Sequence, residues 1–373
     1  MSPLAEIIAL ETGKQGVISF ARFMELALCC PVYGYYEKEG DTVGRRGDFI
    51  TSISVGSLFG ELLAFQFSEW LDELRGADCG MRIVEAGAHD GHLARDLLTW
   101  LRERRAGLFR EIEYWIVEPS ARRRERQKKV LLEFGDSIRW ATQLSGLADP
   151  PWPGGAGGIL FCNELLDAMP VHRLGWDAAN RAWFEWGVTE RDGRFVWTRV
   201  PNPASSAPHP ALPSSLADVL PDGFTTEICP AAQDWWRQAA ASLRAGKLLT
   251  IDYGLAGEDF FMPERSEGTL RAYDRHRLIS DVLANPGEQD ITAHVNFTAI
   301  QSAGESAGLR TEQWVGQPAF LTRIAERAWR RPDTFGEWTP ARTRQFQTLT
   351  HPEHLGRSFH VLVQSRLPSA ELR

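Results

Sequence analysis

Seven short apolar runs, separated by helical or irregular stretches, are the feature that most limits the folds open to this chain. They cover residues 82–86, 113–117, 138–141, 158–162, 247–253, 309–315 and 359–364. Between the first two runs, Leu93, Leu97 and Leu101 recur with helical spacing. Strands that alternate with helices predict an α/β fold with a mostly parallel sheet of seven strands. The direction of the last strand stays open, because a long irregular stretch precedes it.

Three regions do not follow this alternation, and they suggest the domain boundaries. The pattern of residues 1–75 predicts helices and a loop. Residues 255–295 form a long segment between a predicted strand and the helix that follows it. Residues 171–246 contain apolar runs on both sides of Asp192-Gly193, which is a strong β-hairpin signal. We therefore predict an N-terminal helical cap at 1–75, a core built from 76–170 and 247–373, and an inserted β-hairpin subdomain at 171–246.

Composition and charge exclude several classes of protein. The chain has 373 residues and a net charge of −8, which argues against general nucleic-acid binding. No uncharged apolar run approaches 18 residues, so we expect no membrane span. The five cysteines form no C-x-x-C pair, and the first residues lack the pattern of a signal peptide. We expect a cytoplasmic protein with free thiols and no metal site.

A polar segment directly after the fourth apolar run is the strongest functional signal. Asn163, Glu164 and Asp167 follow the run within five residues, and Pro170 prevents a long helix from continuing. Ligands of open α/β sheets bind at the carboxyl ends of the strands, where this segment should lie. One of the three side chains could simply cap a helix, but capping does not explain all of them. We predict that Asn163, Glu164 and Asp167 are catalytic.

A glycine turn after the first run predicts a cofactor site. Gly87 allows a tight turn, and Gly91 allows a helix to begin close to the strand. Glu118 ends the second run, where an acid can accept hydrogen bonds from ribose hydroxyls. A dinucleotide site prefers G-x-G-x-x-G with an acid about 20 residues later. The wider glycine spacing here, with Glu85 before the turn, fits S-adenosylmethionine better.

Ordered motifs along nearly the whole chain resemble the MidA-type S-adenosylmethionine-dependent methyltransferases, a family with a mitochondrial protein-arginine methyltransferase among its members. The matching stretches are residues 33–36, 47–52, 58–62, 85–91, 163–170, 251–254, 268–273, 286–295 and 316–317. Three positions depart from the family pattern, and one of them is Asn296, which stands where an acid is common. His89 stands where the family turn has its middle glycine, and Ile53-Ser54 stands where the family often has Pro-Glu.

The resemblance implies a class I methyltransferase, with a Rossmann-like sheet, that uses S-adenosyl-L-methionine. It implies that Asp48, Thr51 and Ser52, in the N-terminal cap, join Glu85, Gly87, Gly91 and Glu118 in binding the cofactor. It also implies that the substrate is an arginine of a partner protein. Two alternatives remain at this point: a small-molecule N- or O-methyltransferase, and an assembly or binding factor that keeps the cofactor fold without turnover. A nicotinamide oxidoreductase is disfavoured by the glycine spacing.

Overall fold

The computed structural model of the chain describes residues 2–38, 51–75, 81–147, 156–201, 210, 212, 214–274, 277–352, 355–356 and 358–367. The contacts among residues divide the chain into two compact units, each built from three segments. Unit 1 consists of Met1–Phe49, Leu166–Asp234 and Gly254–Ile300. Unit 2 consists of Ile50–Leu165, Trp235–Tyr253 and Gln301–Arg373.

Helices and strands alternate through much of the described sequence. The α-helices are α1 (Pro3–Gln15), α2 (Phe20–Cys29), α3 (Leu58–Glu73), α4 (His92–Arg104), α5 (Ala106–Glu111), α6 (Ala121–Val130), α7 (Ser214–Ala217), α8 (Pro230–Ser242), α9 (Phe297–Ser306), α10 (Gln317–Trp329), α11 (Pro332–Phe335) and α12 (Pro340–Thr350). The strands are β1 (Ile18–Ser19), β2 (Arg82–Ala86), β3 (Glu113–Val117), β4 (Ile138–Ala141), β5 (Ala156–Asn163), β6 (His172–Asp177), β7 (Ala182–Arg191), β8 (Arg194–Arg199), β9 (Thr225–Ile228), β10 (Leu243–Leu255), β11 (Arg271–Asp274), β12 (Arg277–Ile279), β13 (Asp290–Thr292), β14 (Val295–Asn296), β15 (Arg310–Gly316) and β16 (Phe359–Arg366).

Unit 2 contains the predicted sheet. Its strands follow the order β15-β16-β10-β5-β2-β3-β4, which includes all seven predicted apolar runs. Strands β10, β5, β2, β3 and β4 are parallel to one another, whereas β16 runs antiparallel to both β10 and β15. In register, Ala86 lies beside Cys162 and Asn163 beside Ile251. The carboxyl ends of β2, β5 and β10 therefore lie together, and the predicted fold class is confirmed.

Helices bury the apolar faces of this sheet. Leu93, Leu97 and Leu101 of α4 are buried in one hydrophobic cluster with Ile83 of β2 and Phe161 of β5. This is the stripe that the sequence spacing predicts, because residues four apart lie on one face of a helix. Burial of such side chains contributes about 1.5–3 kcal/mol each relative to exposure, which makes this cluster a main source of unit 2 stability.

The described residues of unit 1 form two smaller antiparallel sheets. One follows the order β1-β7-β6-β9 with β8 paired to β7, and the other follows β12-β11-β13. Strands β7 and β8 form the predicted hairpin, with Arg191 beside Arg194. Asp192 and Gly193 both have positive φ, +50° and +78°, as a tight hairpin turn requires. The Asp-Gly signal therefore predicted the hairpin correctly.

The two units divide the chain at other positions than the predicted domain boundaries. Helix α3, which the sequence assigns to the N-terminal cap, packs its Phe59, Leu62 and Phe67 into the hydrophobic cluster of unit 2. The hairpin segment belongs to unit 1 together with the first 49 residues. Helix α3 is buried on nearly all sides, so its surroundings are set by tertiary packing that local sequence does not reveal.

A buried amide network in unit 2 gives a stability prediction. The Gln364 side chain on β16 is fully buried; its Oε1 accepts a hydrogen bond from Trp236 Nε1 at 2.7 Å, and its Nε2 donates to Gln301 O and Thr311 Oγ1, both at 2.9 Å. We expect Gln364→Leu to lower the free energy of unfolding by about 2 kcal/mol, because it leaves the buried indole N–H without an acceptor.

Urea denaturation of Gln364→Leu against the exposed control Gln347→Leu measures this effect. The control should change stability by less than about 0.5 kcal/mol. Equal stability of the two variants would show that the network contributes little.

Candidate functional site

The glycine turn after β2 has the conformation that the sequence requires. Gly87 has a φ of +72°, and its N–H donates to Val117 O at 3.4 Å. A Cβ built on Gly87 would lie 2.9 Å from Leu165 Cδ1, which is too close for an ordinary contact. Gly87 and the segment after β5 therefore meet in unit 2. The glycine turn and the beginning of the predicted catalytic segment therefore lie at the same edge of the sheet.

His89 occupies a position that favours glycine. Its φ is +46°, in the left-handed region where His is more common than most residues but still strained. The His89 carbonyl accepts a hydrogen bond from Gln127 Nε2 at 2.8 Å, which helps to hold this conformation. Gly91, with φ +87°, caps the start of α4. The departure from the family pattern at His89 is therefore accommodated without loss of the turn.

Glu118, the predicted ribose acid, is only 1% exposed and lies in a network of polar contacts. Its Oε1 accepts a hydrogen bond from Ser120 N at 2.8 Å and lies 3.1 Å from Arg123 Nε. Its Oε2 accepts a hydrogen bond from Gln127 Nε2 at 3.3 Å. Gln127 thus connects Glu118 to the carbonyl of His89 in the glycine turn. The sequence gives no signal for Gln127, because a glutamine on a charged helix resembles a solvated residue.

Glu85 is also buried, at 2% exposure, and its Oε2 accepts a hydrogen bond from Tyr114 Oη at 2.6 Å. Burial raises the pKa of Glu85 from its ordinary value of 4.5 to about 7, although the Tyr114 hydrogen bond acts in the opposite direction. A buried acid of this kind is suited to a cationic partner, such as the ammonium group of an amino acid. The sequence did not indicate Tyr114, because a tyrosine in an apolar strand resembles a core residue.

The raised pKa of Glu85 predicts a pH dependence of stability. An acid whose pKa is higher in the folded state binds its proton more tightly there, so stability falls as pH rises from about 4.5 to about 7. For the cofactor-free protein we expect the free energy of unfolding to fall by up to about 3 kcal/mol over this pH range because of Glu85. The Glu85→Gln variant should not show this decrease.

Urea denaturation at pH 5 and pH 8 measures this contribution as the difference between wild type and Glu85→Gln. The exposed control Glu103→Gln should follow wild type at both values. A constant difference between wild type and Glu85→Gln across this range would contradict a raised pKa.

Asn163 and Glu164 form a polar pair at the end of β5. Asn163 Nδ2 donates to Glu164 Oε1 at 3.0 Å, which fixes the orientation of the amide because a carboxylate oxygen only accepts. Asn163 is 7% exposed, and among the described residues its buried Oδ1 has no hydrogen-bond partner. Buried acceptors without a partner are rare and costly. The pair therefore offers an acceptor and a carboxylate to a ligand that carries N–H groups.

Asp167, the third predicted catalytic residue, lies in unit 1 and is 7% exposed. Its backbone carbonyl accepts a hydrogen bond from Ala293 N at 3.0 Å. In the same unit, Tyr36 Oη donates to Asp290 Oδ1 at 2.7 Å, and burial together with the charges of Asp290 and Asp167 raises the pKa of Tyr36. Asp167 is thus close enough to Tyr36 and Asp290 in unit 1 to affect the pKa of Tyr36.

The predicted cofactor residues near the start of α3 make structural contacts. Ser54 Oγ donates to Thr51 O at 2.8 Å and accepts from Thr51 N at 3.1 Å, so Ser54 closes this turn. Ser52 is fully buried, and its hydroxyl donates to Gln317 Oε1 at 3.1 Å. Asp48 lies outside the described residues. Binding of the cofactor by Thr51, Ser52 and Asp48 stays a prediction.

No group of three or more His, Cys, Asp and Glu side chains in the described ranges is arranged to hold a metal ion. The site in unit 2 is instead organised around a turn that a Cβ would fill and two buried acids, Glu85 and Glu118. A small organic cofactor with a ribose and an ammonium group fits these residues.

The chain belongs to the family of S-adenosyl-L-methionine-dependent methyltransferases, whose pattern matches residues 62–315. A solved structure similar to this chain is a superfamily member from Burkholderia thailandensis bound to S-adenosyl-homocysteine. It is 32% identical, with a TM-score of 0.81 over 97% of this chain and 92% of that chain. A native structure from the same organism is 33% identical, with a TM-score of 0.77 over 97% and 91%. The protein is an enzyme of this class, and its cofactor is S-adenosyl-L-methionine.

Two curated relatives carry a more specific name. The mitochondrial protein arginine methyltransferase NDUFAF7 homolog of Drosophila melanogaster is 28% identical over 96% of this chain and 84% of its own length. The mitochondrial protein arginine methyltransferase NDUFAF7 of Danio rerio is 30% identical over 77% of this chain and 68% of its own length. The resemblance found in the motifs is therefore confirmed at the level of the family.

Proposed function

We propose that this enzyme methylates an arginine of a partner protein. The observation that carries the proposal is the polar pair of Asn163 and Glu164, in which Asn163 Oδ1 is buried with no hydrogen-bond partner among the described residues. The names of the curated relatives, protein arginine methyltransferases, support the same substrate class. We extend their substrate class to this chain on the chemistry of the pair.

A guanidinium group matches this pair in charge and in hydrogen bonding. It carries five N–H donors in one plane and no acceptor, so it needs acceptors that lie side by side. Glu164 supplies a carboxylate, and Asn163 Oδ1 supplies a neutral acceptor. A carboxylate that binds one guanidinium nitrogen draws positive charge toward itself and leaves another nitrogen more nucleophilic. The pair would therefore orient the guanidinium group and make one of its nitrogens a better nucleophile toward the methyl carbon.

The chain's residues also position the methyl donor. When bound, S-adenosyl-L-methionine supplies an electrophilic methyl carbon on a positively charged sulfur. Glu85 would hold its ammonium group, Glu118 its ribose hydroxyls, and Gly87 would let it approach the backbone closely. The protein's main contribution is to hold the nucleophile in line with the methyl carbon and exclude water. Glu164 is the group placed to take up the proton that the substituted nitrogen loses.

The partner and the cellular location are part of the same proposal. We expect a protein substrate and no nucleic-acid partner, because the chain is acidic overall. In the ranges that the structure describes, no helix is long and apolar enough to cross a membrane. The cytoplasmic location stays a prediction, whereas the two curated relatives are named as mitochondrial proteins. Fractionation of cells that express the tagged chain tests it.

The test of the substrate class uses radiolabelled S-adenosyl-L-methionine and an extract of cells that lack the protein. We expect label in the protein fraction and, by mass spectrometry, methyl groups on arginine in tryptic peptides. The control is the same incubation with Glu164→Gln, which should label far less. Label in the small-molecule fraction alone would contradict a protein substrate. Methylation of lysine or carboxylate side chains alone would contradict arginine.

A further inference from the structure

The backbone of Glu164 adopts a left-handed conformation that is strained for a residue with a Cβ. Its φ is +51°, in the left-handed region that disfavours residues with a Cβ. Strain of this kind persists only where the surrounding structure enforces it, and it clusters at functional sites.

Strand β10 holds the Glu164 turn, which consists of Glu164 and Leu165, through its consecutive residues Ile251 and Asp252. Glu164 N donates to Ile251 O at 2.9 Å, continuing the parallel pairing of β5 with β10. One residue further on, Leu165 N donates to Asp252 Oδ2 at 3.2 Å. The other carboxylate oxygen, Asp252 Oδ1, accepts a hydrogen bond from Tyr253 N at 2.8 Å. The Glu164 turn is thus held to β10 by one backbone bond and one bond to a carboxylate.

The Asp252 carboxylate is fully buried, which makes its two backbone contacts important. A charge removed from water is tolerated only when donors compensate it. Here the donors come from both sides, one from the Glu164 turn and one from its own strand. An ionised acceptor forms stronger hydrogen bonds than a neutral one, so a carboxylate at this position would hold the backbone more firmly than an amide would.

We propose that Asp252 is a positioning residue for methyl transfer, which holds the strained Glu164 turn so that the Glu164 carboxylate lies beside the Asn163 amide. This inference rests on the proposed function, since it requires Glu164 to act on the substrate. Asp252 acts through the backbone of Leu165 and needs no contact with the substrate. The sequence alone permits an ordinary capping role for Asp252, and it does not indicate this bond, because the two residues are 87 positions apart.

The Asp252→Asn variant has nearly the same shape but replaces one acceptor oxygen by an N–H donor. That donor faces a backbone N–H, so one of the two hydrogen bonds is lost and the turn relaxes. We expect methyl transfer to fall about 10-fold or more, because a small misplacement of a catalytic group is costly.

The experiment is a double-mutant cycle of Asp252→Asn and Glu164→Gln in the full chain. The readout is the rate at which labelled methyl enters the protein fraction of the extract at saturating S-adenosyl-L-methionine. Affinity for S-adenosyl-homocysteine is measured by calorimetry in parallel. We expect both single variants to bind S-adenosyl-homocysteine as wild type does, and the double variant to be no slower than Glu164→Gln within about twofold. Asp333→Asn, at an exposed position of α11, is the matched control.

Additive losses in the cycle would overturn the proposal, because Asp252 would then act independently of Glu164. A wild-type rate for Asp252→Asn would overturn it as well. If Glu164→Gln retains the full rate, the proposed role of Glu164 fails, and the inference on Asp252 fails with it. Asp252→Ser is a second variant that removes the carboxylate without a misdirected donor, and we expect the same cycle. Unfolding of both Asp252 variants would assign Asp252 to the fold alone.

Discussion

Replacement of Gly87 by Val is expected to abolish cofactor binding, with an affinity for S-adenosyl-homocysteine at least about 100-fold lower than that of wild type. Two physical effects act together. A β-branched residue is strongly disfavoured at the observed φ of +72°. Its Cβ would also lie 2.9 Å from Leu165 Cδ1, so either the turn or the segment after β5 must move. Calorimetric titration measures the change, and circular dichroism verifies that the variant folds.

Gly107→Val is the matched control for Gly87→Val. Gly107 has open space around its Cα, and its φ lies outside the left-handed region. The same side chain added there should leave binding within about twofold of wild type, as expected for a surface substitution away from the site. If Gly87→Val binds S-adenosyl-homocysteine as tightly as this control does, the turn after β2 is not part of the cofactor site.

Replacement of Glu164 by Gln should lower methyl transfer about 100-fold, equivalent to roughly 3 kcal/mol of transition-state stabilisation. Gln keeps the shape of the side chain and can still accept the bond from Asn163 Nδ2. It loses the negative charge that, in the proposed mechanism, would orient a guanidinium and take up its proton. Affinity for S-adenosyl-homocysteine should not change, because the change concerns the substrate side of the reaction. Initial rates at saturating cofactor, with calorimetry in parallel, measure both quantities.

The control for Glu164→Gln is Glu103→Gln, on the exposed face of α4, which should behave as wild type. An equal loss of transfer and of S-adenosyl-homocysteine binding would identify Glu164 as a cofactor or folding residue. Unchanged transfer would remove it from the chemistry altogether.

The sheet could be predicted from the sequence because its signals are local. Strands β2, β3 and β4 begin and end at the predicted residues. Strands buried on both faces form continuous apolar runs, and such runs are short and bounded by polar residues. The glycine turn was predicted for the same reason, since a left-handed backbone near a ligand strongly favours glycine. His89 shows the limit of that rule, because a hydrogen bond to its carbonyl supports the turn without a glycine there.

Other parts of the site depend on residues far apart in the sequence. Gln127 contacts the glycine turn 38 positions away, and Asp252 contacts Leu165 87 positions away. Such pairs form only after the strands are arranged, so no periodicity or local motif indicates them. The same applies to Ser52, whose hydroxyl bonds Gln317 instead of standing out as a ligand group. A motif predicts which segments meet, whereas the hydrogen bonds between them follow from the packing.

Strand β16 lies between β10 and β15, although it is made after both of them. During synthesis, the backbone N–H and C=O groups on this edge of β10 therefore stay unpaired until residues 359–366 have been made. Folding that depends on contacts between residues far apart in the sequence is slow, and the pairing of β16 is a contact of this kind. An unpaired apolar edge is also prone to aggregation. A nascent chain halted before this strand would expose that edge of β10, so we expect it to aggregate more readily than a chain that includes β16.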